Sequence, residues 1–247
     1  MKATPDDQLR LLDLQSLDSA LDRLAHRRRT LPEIEAADQL AARIVQLADD
    51  MVLVETEDSD LAREQSKLEG DIDVVRTRMG KDQERLDAGQ VSSPRELENL
   101  QSEIESLKRR QSDLEDEELE IMERREAVQS RLDEMKTERD EQSRMLGETE
   151  QRRDATFVEI DAEVDKTSRQ RSELGGAIPA ELLALYEKVR GASGGVGAAA
   201  LHRGRCEGCH LQLNTTDLNR LREAPPDDVV RCEECRRILV RTEESGL

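Results

Sequence analysis

Leu40-Ala-Ala-Arg-Ile44-Val-Gln-Leu47-Ala-Asp-Asp-Met51-Val-Leu-Val54 opens a run in which apolar residues return at alternating steps of four and three. The beat continues without a slip through Asp58, Leu61, Gln65, Leu68, Ile72, Val75, Met79, Asp82 and Leu86. A repeat averaging 3.5 residues keeps one narrow stripe facing a partner helix, so this stretch predicts a coiled-coil seam. Upstream, Leu14, Leu17, Leu21, Leu24 and Leu31 keep the spacing in a different phase. Pro32 lies at the phase change, where a kink or brief break is expected.

Downstream, Ser93-Pro94-Arg95-Glu96 reads as a helix start. Ser93 caps, Pro94 suits the first helical position, and Glu96 reaches back to complete a capping box. A second seam follows through Leu97, Leu100, Ile104, Leu107, Gln111, Leu114, Glu118, Ile121, Arg125, Val128, Leu132, Met135, Arg139, Gln142 and Leu146. After Thr149, two successive steps of four through Arg153 to Phe157 form a stutter that locally unwinds the supercoil. Ile160, Val164 and Leu174 continue the seam, and Gly175-Gly176 supply a stop. Only Gly89 to Ser93 joins the two helices, a link short enough to demand antiparallel neighbours. Pairing about that turn sets Leu174 beside Leu9, and helices of roughly 80 residues at 1.5 Å each give a rod on the order of 120 Å. The polar seam residues Asp58, Glu118 and Arg125 either fix register or are ordinary interruptions of a long coil.

Composition supports this reading. The 247 residues include one Phe, one Tyr and no Trp, while 38% are charged, which is not the make-up of a large globular core. The regular periodicity argues against disorder. No apolar run approaches the roughly 20 residues that span a bilayer. After Gly195, eight arginines stand against nine acidic residues, so residues 1–195 carry −18 of the net −19. That part of the chain should repel nucleic acid and anionic membrane.

The four cysteines form two pairs, Cys206-Glu-Gly-Cys209 and Cys232-Glu-Glu-Cys235, twenty-two residues apart. Zinc prefers four tetrahedral sulfurs at about 2.3 Å, and a two-residue spacer lets both thiolates of a pair reach one ion from a single tight turn. One structural Zn2+ bound by Cys206, Cys209, Cys232 and Cys235 is therefore expected. Disulfides would need an oxidising compartment, and the opening residues lack the apolar stretch of a signal peptide. A soluble, cytoplasmic protein is expected.

Between coil and metal module lies Gly175 to Gly197, with a short amphipathic helix at Pro179 to Arg190. Leu182, Leu185, Tyr186 and Val189 share one side of it, which suits docking, with Tyr186 read as a packing residue. Gly194-Gly195-Val196-Gly197 is expected to let the last region reorient. Ala198 to Leu201, Val229-Val230 and Ile238 to Val240 read as short strands, and Thr215 or Thr216 as the cap of a helix carrying Leu218 and Leu221. The fold class is thus mainly α: a long antiparallel coiled-coil hairpin over 1–175, a hinge with a short helix over 176–197, and a small β-rich zinc ribbon over 198–247. So small a module with few large apolar side chains depends on its metal to fold.

The chain resembles the bacterial coiled-coil proteins with a C-terminal four-cysteine zinc ribbon, a family whose flagellar members act as chaperone-like and transcript-binding factors. The resemblance rests on Ile178-Pro179-Ala-Glu-Leu182-Leu183 with Tyr186, on Cys206-Glu-Gly-Cys209, and on Arg231-Cys232-Glu-Glu-Cys235-Arg-Arg-Ile-Leu239. It implies the four cysteines as zinc ligands and the ribbon as a contact surface for nucleic acid or protein. Where the family often has Gly after the fourth cysteine and an aromatic at the strand end, this chain has Arg236 and Val240. Gly eases positive φ, so a different second turn is expected.

Four thiolates fill zinc's tetrahedron and leave no place for a reacting water, which argues against an enzyme. His26 sits in a basic run, while His202 and His210 flank the first knuckle without a triad. No Gly-rich phosphate loop is present. Arg203, Arg205, Arg231, Arg236, Arg237 and Arg241 surround the knuckles and are candidate phosphate contacts. They equally balance the −2 of a zinc tetrathiolate. The sequence therefore points to a non-enzymatic adaptor whose ribbon meets nucleic acid, protein or both. A purely protein-binding scaffold or spacer is the alternative, with no membrane and no small-molecule substrate in either case, and the oligomeric state open.

Overall fold

A computed structural model describes residues 1–247. In chain order it contains α1 (Pro5–Arg29), α2 (Pro32–Asp87), α3 (Pro94–Gly176), α4 (Ala180–Ala192), β1 (Ala198–His202), β2 (Arg205–Cys206), α5 (Thr215–Glu223), β3 (Val230–Arg231) and β4 (Ile238–Arg241). No helix is long and apolar enough to cross a membrane. The chain divides into two compact units, Glu35–Thr149 and a second made of Met1–Ile34 with Glu150–Leu247.

The unit Glu35–Thr149 is the helical hairpin read from the 3.5-residue beat. Leu47, Met51, Val54, Leu61 and Ile72 of α2 are buried, as are Leu100, Ile104, Leu114 and Val128 of α3. Ion pairs tie the helices antiparallel: Arg43 to Glu138 at 2.7 Å, Asp58 to Arg125 at 3.0 Å, Arg76 to Glu115 at 2.7 Å, and Arg78 to Glu103. At the tip, Gly89 takes φ 65° and Gln90 N–H donates to Arg85 O at 3.2 Å, the left-handed cap that ends α2. Ser93 Oγ accepts from Glu96 N at 3.3 Å, and Glu96 reaches back to Ser92 N at 3.2 Å, one residue earlier than a standard capping box.

In the other unit, α1 starts on Thr4, whose hydroxyl accepts from Asp7 N at 3.2 Å. It ends at Thr30, and Pro32 begins α2, so the expected break is a complete interruption. That interruption resets which residues face α3. Asp18 meets Arg171 at 3.1 Å, and Arg28 pairs with Asp161 while lying 4.4 Å from the Phe157 ring centroid. The pairing of Leu174 with Leu9 is accordingly corrected: Leu174 packs on the cluster of Leu11 and Leu14, and Leu9 remains 41% exposed.

The C-terminal sheet runs β2-β1-β4-β3, with β1 parallel to β4 and the edge strands antiparallel. The two-residue strand β2 is an addition to the three expected from sequence. It returns from β1 through Arg203-Gly204, both at positive φ (48° and 76°), the geometry of a type I′ hairpin turn. Helix α5 is capped by Asn214, not by Thr215 or Thr216: Asn214 Oδ1 accepts from Asp217 N at 2.8 Å. Leu201, Leu239, Leu213 and Leu221 enclose the cysteines on one side of the sheet. On the other, Ile238, Val240 and Ala198 join Leu11 and Leu14 of α1 and Leu182, Tyr186 and Val189 of α4. The ribbon sheet and the start of the coil therefore share one core.

Candidate metal centre

Each cysteine pair is shaped by the same backbone device. In the first knuckle His210 N–H donates to Cys206 O at 2.8 Å and Cys206 N–H to Leu211 O at 3.1 Å. In the second, Arg236 N–H donates to Cys232 O and Cys232 N–H to Arg237 O, both at 2.9 Å. His210 and Arg236, one residue after each pair, both hold left-handed φ, 62° and 61°. The different second turn expected from Arg236 is thus corrected: the backbone bonds impose the same turn on an arginine, at the steric cost that a glycine would avoid.

These turns bring four sulfurs within 4.8 Å of one another. Cys206 Sγ lies 3.9 Å from Cys235 Sγ, and Cys209 Sγ 3.9 Å from Cys232 Sγ. A tetrahedron with zinc–sulfur bonds of about 2.3 Å has edges of about 3.8 Å, so the donor set fits one structural Zn2+. The cluster of potential ligands is the four cysteines alone. His202 Nδ1 instead faces Glu244 at 3.1 Å, and His210 Nδ1 faces Glu207 at 4.0 Å. Burial first, and then the neighbouring Cys232 and Cys235, push the Cys206 thiol up to about 12 against the opposing backbone amides of Cys209 and Gly208. Burial also opposes ionisation of Cys235, yet the Arg237 amide and hydrogen bonds with Cys232 and Cys209 outweigh it and take that thiol down to about 7. A cation that offsets thiolate repulsion is what such a cluster requires.

The six candidate arginines separate by geometry. Arg237 is turned inward, donating to Val196 O at 3.1 Å, Gly208 O at 3.0 Å and Ser193 O at 2.8 Å. Arg241 donates to the carbonyls of Leu221, Ala224, Pro225, Pro226 and Asp228. Both act on the fold by closing loops. Arg203 at the hairpin tip and Arg205 on β2 make no ion pair, Arg231 Nε donates to Arg236 O at 2.6 Å, and Arg236 lies 3.4 Å from Glu233.

A buried polar cluster joins the ribbon to the coil, and the sequence reading missed it. Gln15 Oε1 accepts from Gly197 N at 2.7 Å, while its Nε2 donates to Gly195 O at 3.0 Å. The Tyr186 hydroxyl donates to Asp18 Oδ2 at 2.7 Å and lies 3.1 Å from Gln15 Oε1. Asp18, 2% exposed, also receives Arg171, with Arg190 Nε 3.5 Å away. The glycine segment expected to allow reorientation is held here: a Cβ on Gly197 would come within 2.8 Å of the Tyr186 ring. The available signal was the spacing Leu11, Leu14, Gln15, Asp18, two polar residues on an apolar helix face.

Comparison with known proteins gives two family matches: a CT398-like coiled coil hairpin domain over residues 14–194 and a C4-type zinc ribbon domain over residues 205–239. The protein Rv2229c of Mycobacterium tuberculosis is 37% identical over 243 residues, covering 98% of both chains. ML1638 of Mycobacterium leprae is 31% identical over 222 residues, covering 90% of this chain and 94% of its own. A solved structure from Mycobacterium smegmatis is similar with a TM-score of 0.84 at 37% identity, covering 98% of this chain and 100% of its own. CT398 from Chlamydia trachomatis shares the fold, with a TM-score of 0.70 at 21% identity over 96% of this chain and 98% of its own.

Proposed function

Because the chain belongs to the CT398-like coiled-coil hairpin family and carries its C4-type zinc ribbon, we propose that it is a non-enzymatic adaptor whose ribbon contacts a macromolecular partner. The observation that carries this reading is the closed four-sulfur cluster, set in a ribbon whose inner face is fixed to the coil. Four thiolates complete zinc's coordination, so the metal supplies folding energy and shape rather than a reaction site. The outer surface of the ribbon is then the part free to bind. The proposed setting is the cytoplasm, where thiols stay reduced and available to zinc.

Protein is the favoured partner class, because Arg237 and Arg241 are engaged by backbone carbonyls and Arg236 is paired with Glu233, which also holds Arg220. Nucleic acid is a second reading, favoured by Arg203 and Arg205, which stand beside one hairpin without a carboxylate partner. A photo-crosslinker at position 205, with position 131 as the control, tests both in cells. Adducts at 205 that are lost to protease support the protein reading, and adducts lost to nuclease move it to nucleic acid. Adducts formed only at 131, or turnover of a small molecule by the purified zinc-loaded protein, overturn the adaptor.

A further inference from the structure

The outer edge of β3 is an open strand beside a formed groove. In its antiparallel pairing with β4, Val230 stands opposite Leu239 and Arg231 opposite Ile238, while Cys232 N–H donates to Arg237 O at 2.9 Å. Hydrogen-bonded pairs alternate along an antiparallel ladder, so Cys232 and Val230 turn their backbone groups to β4 and Arg231 turns its N–H and C=O outward. The same edge already accepts extended backbone two residues earlier: Val229 N–H donates to Met1 O at 3.1 Å, and Ala3 N–H to Asp227 O at 2.8 Å. The edge at Arg231 faces a groove of about 440 Å³ lined by β3, α5 and Met1. That is within the size range of ligand clefts, about 300–1,000 Å³.

The groove is preorganised, and its lining sets apolar surface beside three arginines and three carboxylates, Asp217, Asp228 and Glu233. Leu213, Leu221 and Val230 supply apolar surface. Arg220 and Arg236 share one carboxylate, Glu233, at 2.9 and 3.4 Å, and the terminal guanidinium nitrogens of Arg231 have no partner. Arg241 fixes the far wall by holding the carbonyls from Leu221 to Asp228, so little ordering is left for binding. Successive residues of a strand point to opposite faces. A segment paired with β3 therefore presents apolar side chains beside Val230 and acidic ones beside Arg231 and Arg236.

We propose that the β3 edge is a strand-addition site for an extended peptide segment of a protein partner, alternating apolar and acidic residues. Main-chain bonds to Arg231 give affinity, and the guanidiniums select carboxylates. This deepens the adaptor reading and rests on it, but fails separately from it.

The test uses the full-length zinc-loaded protein and a fluorescent acetyl-Thr-Val-Glu-Val-Asp-Val-Thr amide, read by anisotropy. Binding is expected, at least tenfold weaker when lysines replace Glu and Asp, and lost when alternate peptide nitrogens are methylated. Arg231→Pro deletes the outward N–H without touching the β3 to β4 bonds, and should cost more than tenfold in affinity while one zinc per chain is retained. Arg231→Ala keeps the N–H and should cost about threefold. Should the proline variant lose its zinc, the methylated peptide alone decides. No binding by the wild type, equal binding of the lysine or methylated peptide, or an undiminished zinc-loaded proline variant overturns the proposal. So does a concentration-dependent dimer abolished by Arg231→Pro, which assigns the edge to a second copy. Ribbon cross-links at position 205 in the absence of peptide binding would leave the adaptor reading standing.

Discussion

Tyr186 is the only tyrosine of the chain, and its hydroxyl is enclosed by Gln15 and Asp18. Burial raises its pKa above the ordinary 10.0, and the hydrogen bond to Asp18 raises it further. The folded state therefore keeps a proton that the unfolded chain releases above about pH 10, and stability falls as pH rises past that point. Below it, the hydroxyl is neutral in both states and its contribution is complete. Absorbance of tyrosinate should stay absent until the protein unfolds, and alkaline destabilisation should be weaker in Tyr186→Phe. That variant should also lose about 1–3 kcal/mol at neutral pH, because Asp18 remains buried with one donor fewer. Thermal melts across the alkaline range check both outcomes. His210 offers a change of opposite sign. It is a non-glycine residue at φ 62°, so His210→Gly should stabilise the zinc-loaded ribbon by about 1 kcal/mol, measured by denaturant unfolding.

At the scale of elements, the seam of α2 and α3 is interrupted by Asp58 and Arg125, which meet at 3.0 Å with Gln65 at 3.2 Å from the same guanidinium. Both side chains keep a quarter to a third of their exposure, so water screens the pair and its coupling in a double-mutant cycle should be under about 1 kcal/mol. Replacing both by leucine should raise the melting temperature, since apolar packing replaces two partly desolvated charges. Arg125→Leu alone should lower it relative to the double variant, because Asp58 loses its cation and keeps only the Gln129 amide at 3.1 Å. Differential scanning calorimetry of the three variants measures this. That Asp58 and Arg125 lie on the two seams was legible from spacing, which left open whether they fix register or merely interrupt the coil. Which charge met which was not, because the pairing depends on the register across the turn at 88–93.

In the molecule as a whole, the ribbon and the coil's first helix are one energetic unit: Ile238 and Val240 of β4 bury against Leu11 and Leu14 of α1. Removing zinc should then do more than melt the ribbon. Hydrogen exchange after chelation, or in Cys232→Ala, should show lost protection in α1 and α4 as well as in β1 and β4, while residues 35–149 keep theirs. Protection unchanged in α1 would contradict the shared core. Metal analysis of the same samples should give one zinc per wild-type chain and a loss in Cys232→Ala.

The sequence by itself determined the helices, their antiparallel return and the ligand set, because each follows from short-range rules: a 3.5-residue beat, a cap, a turn, a paired spacing of cysteines. Only the tertiary structure decided that Gln15 and Asp18 clasp Tyr186 and Gly197, that Arg237 and Arg241 turn inward to carbonyls, and that Arg231 turns an open strand edge outward. Those outcomes depend on which distant backbone groups are left needing a partner once the elements have met. A buried carbonyl draws a guanidinium from whichever residue lies within reach, and that reach is a property of the assembled fold.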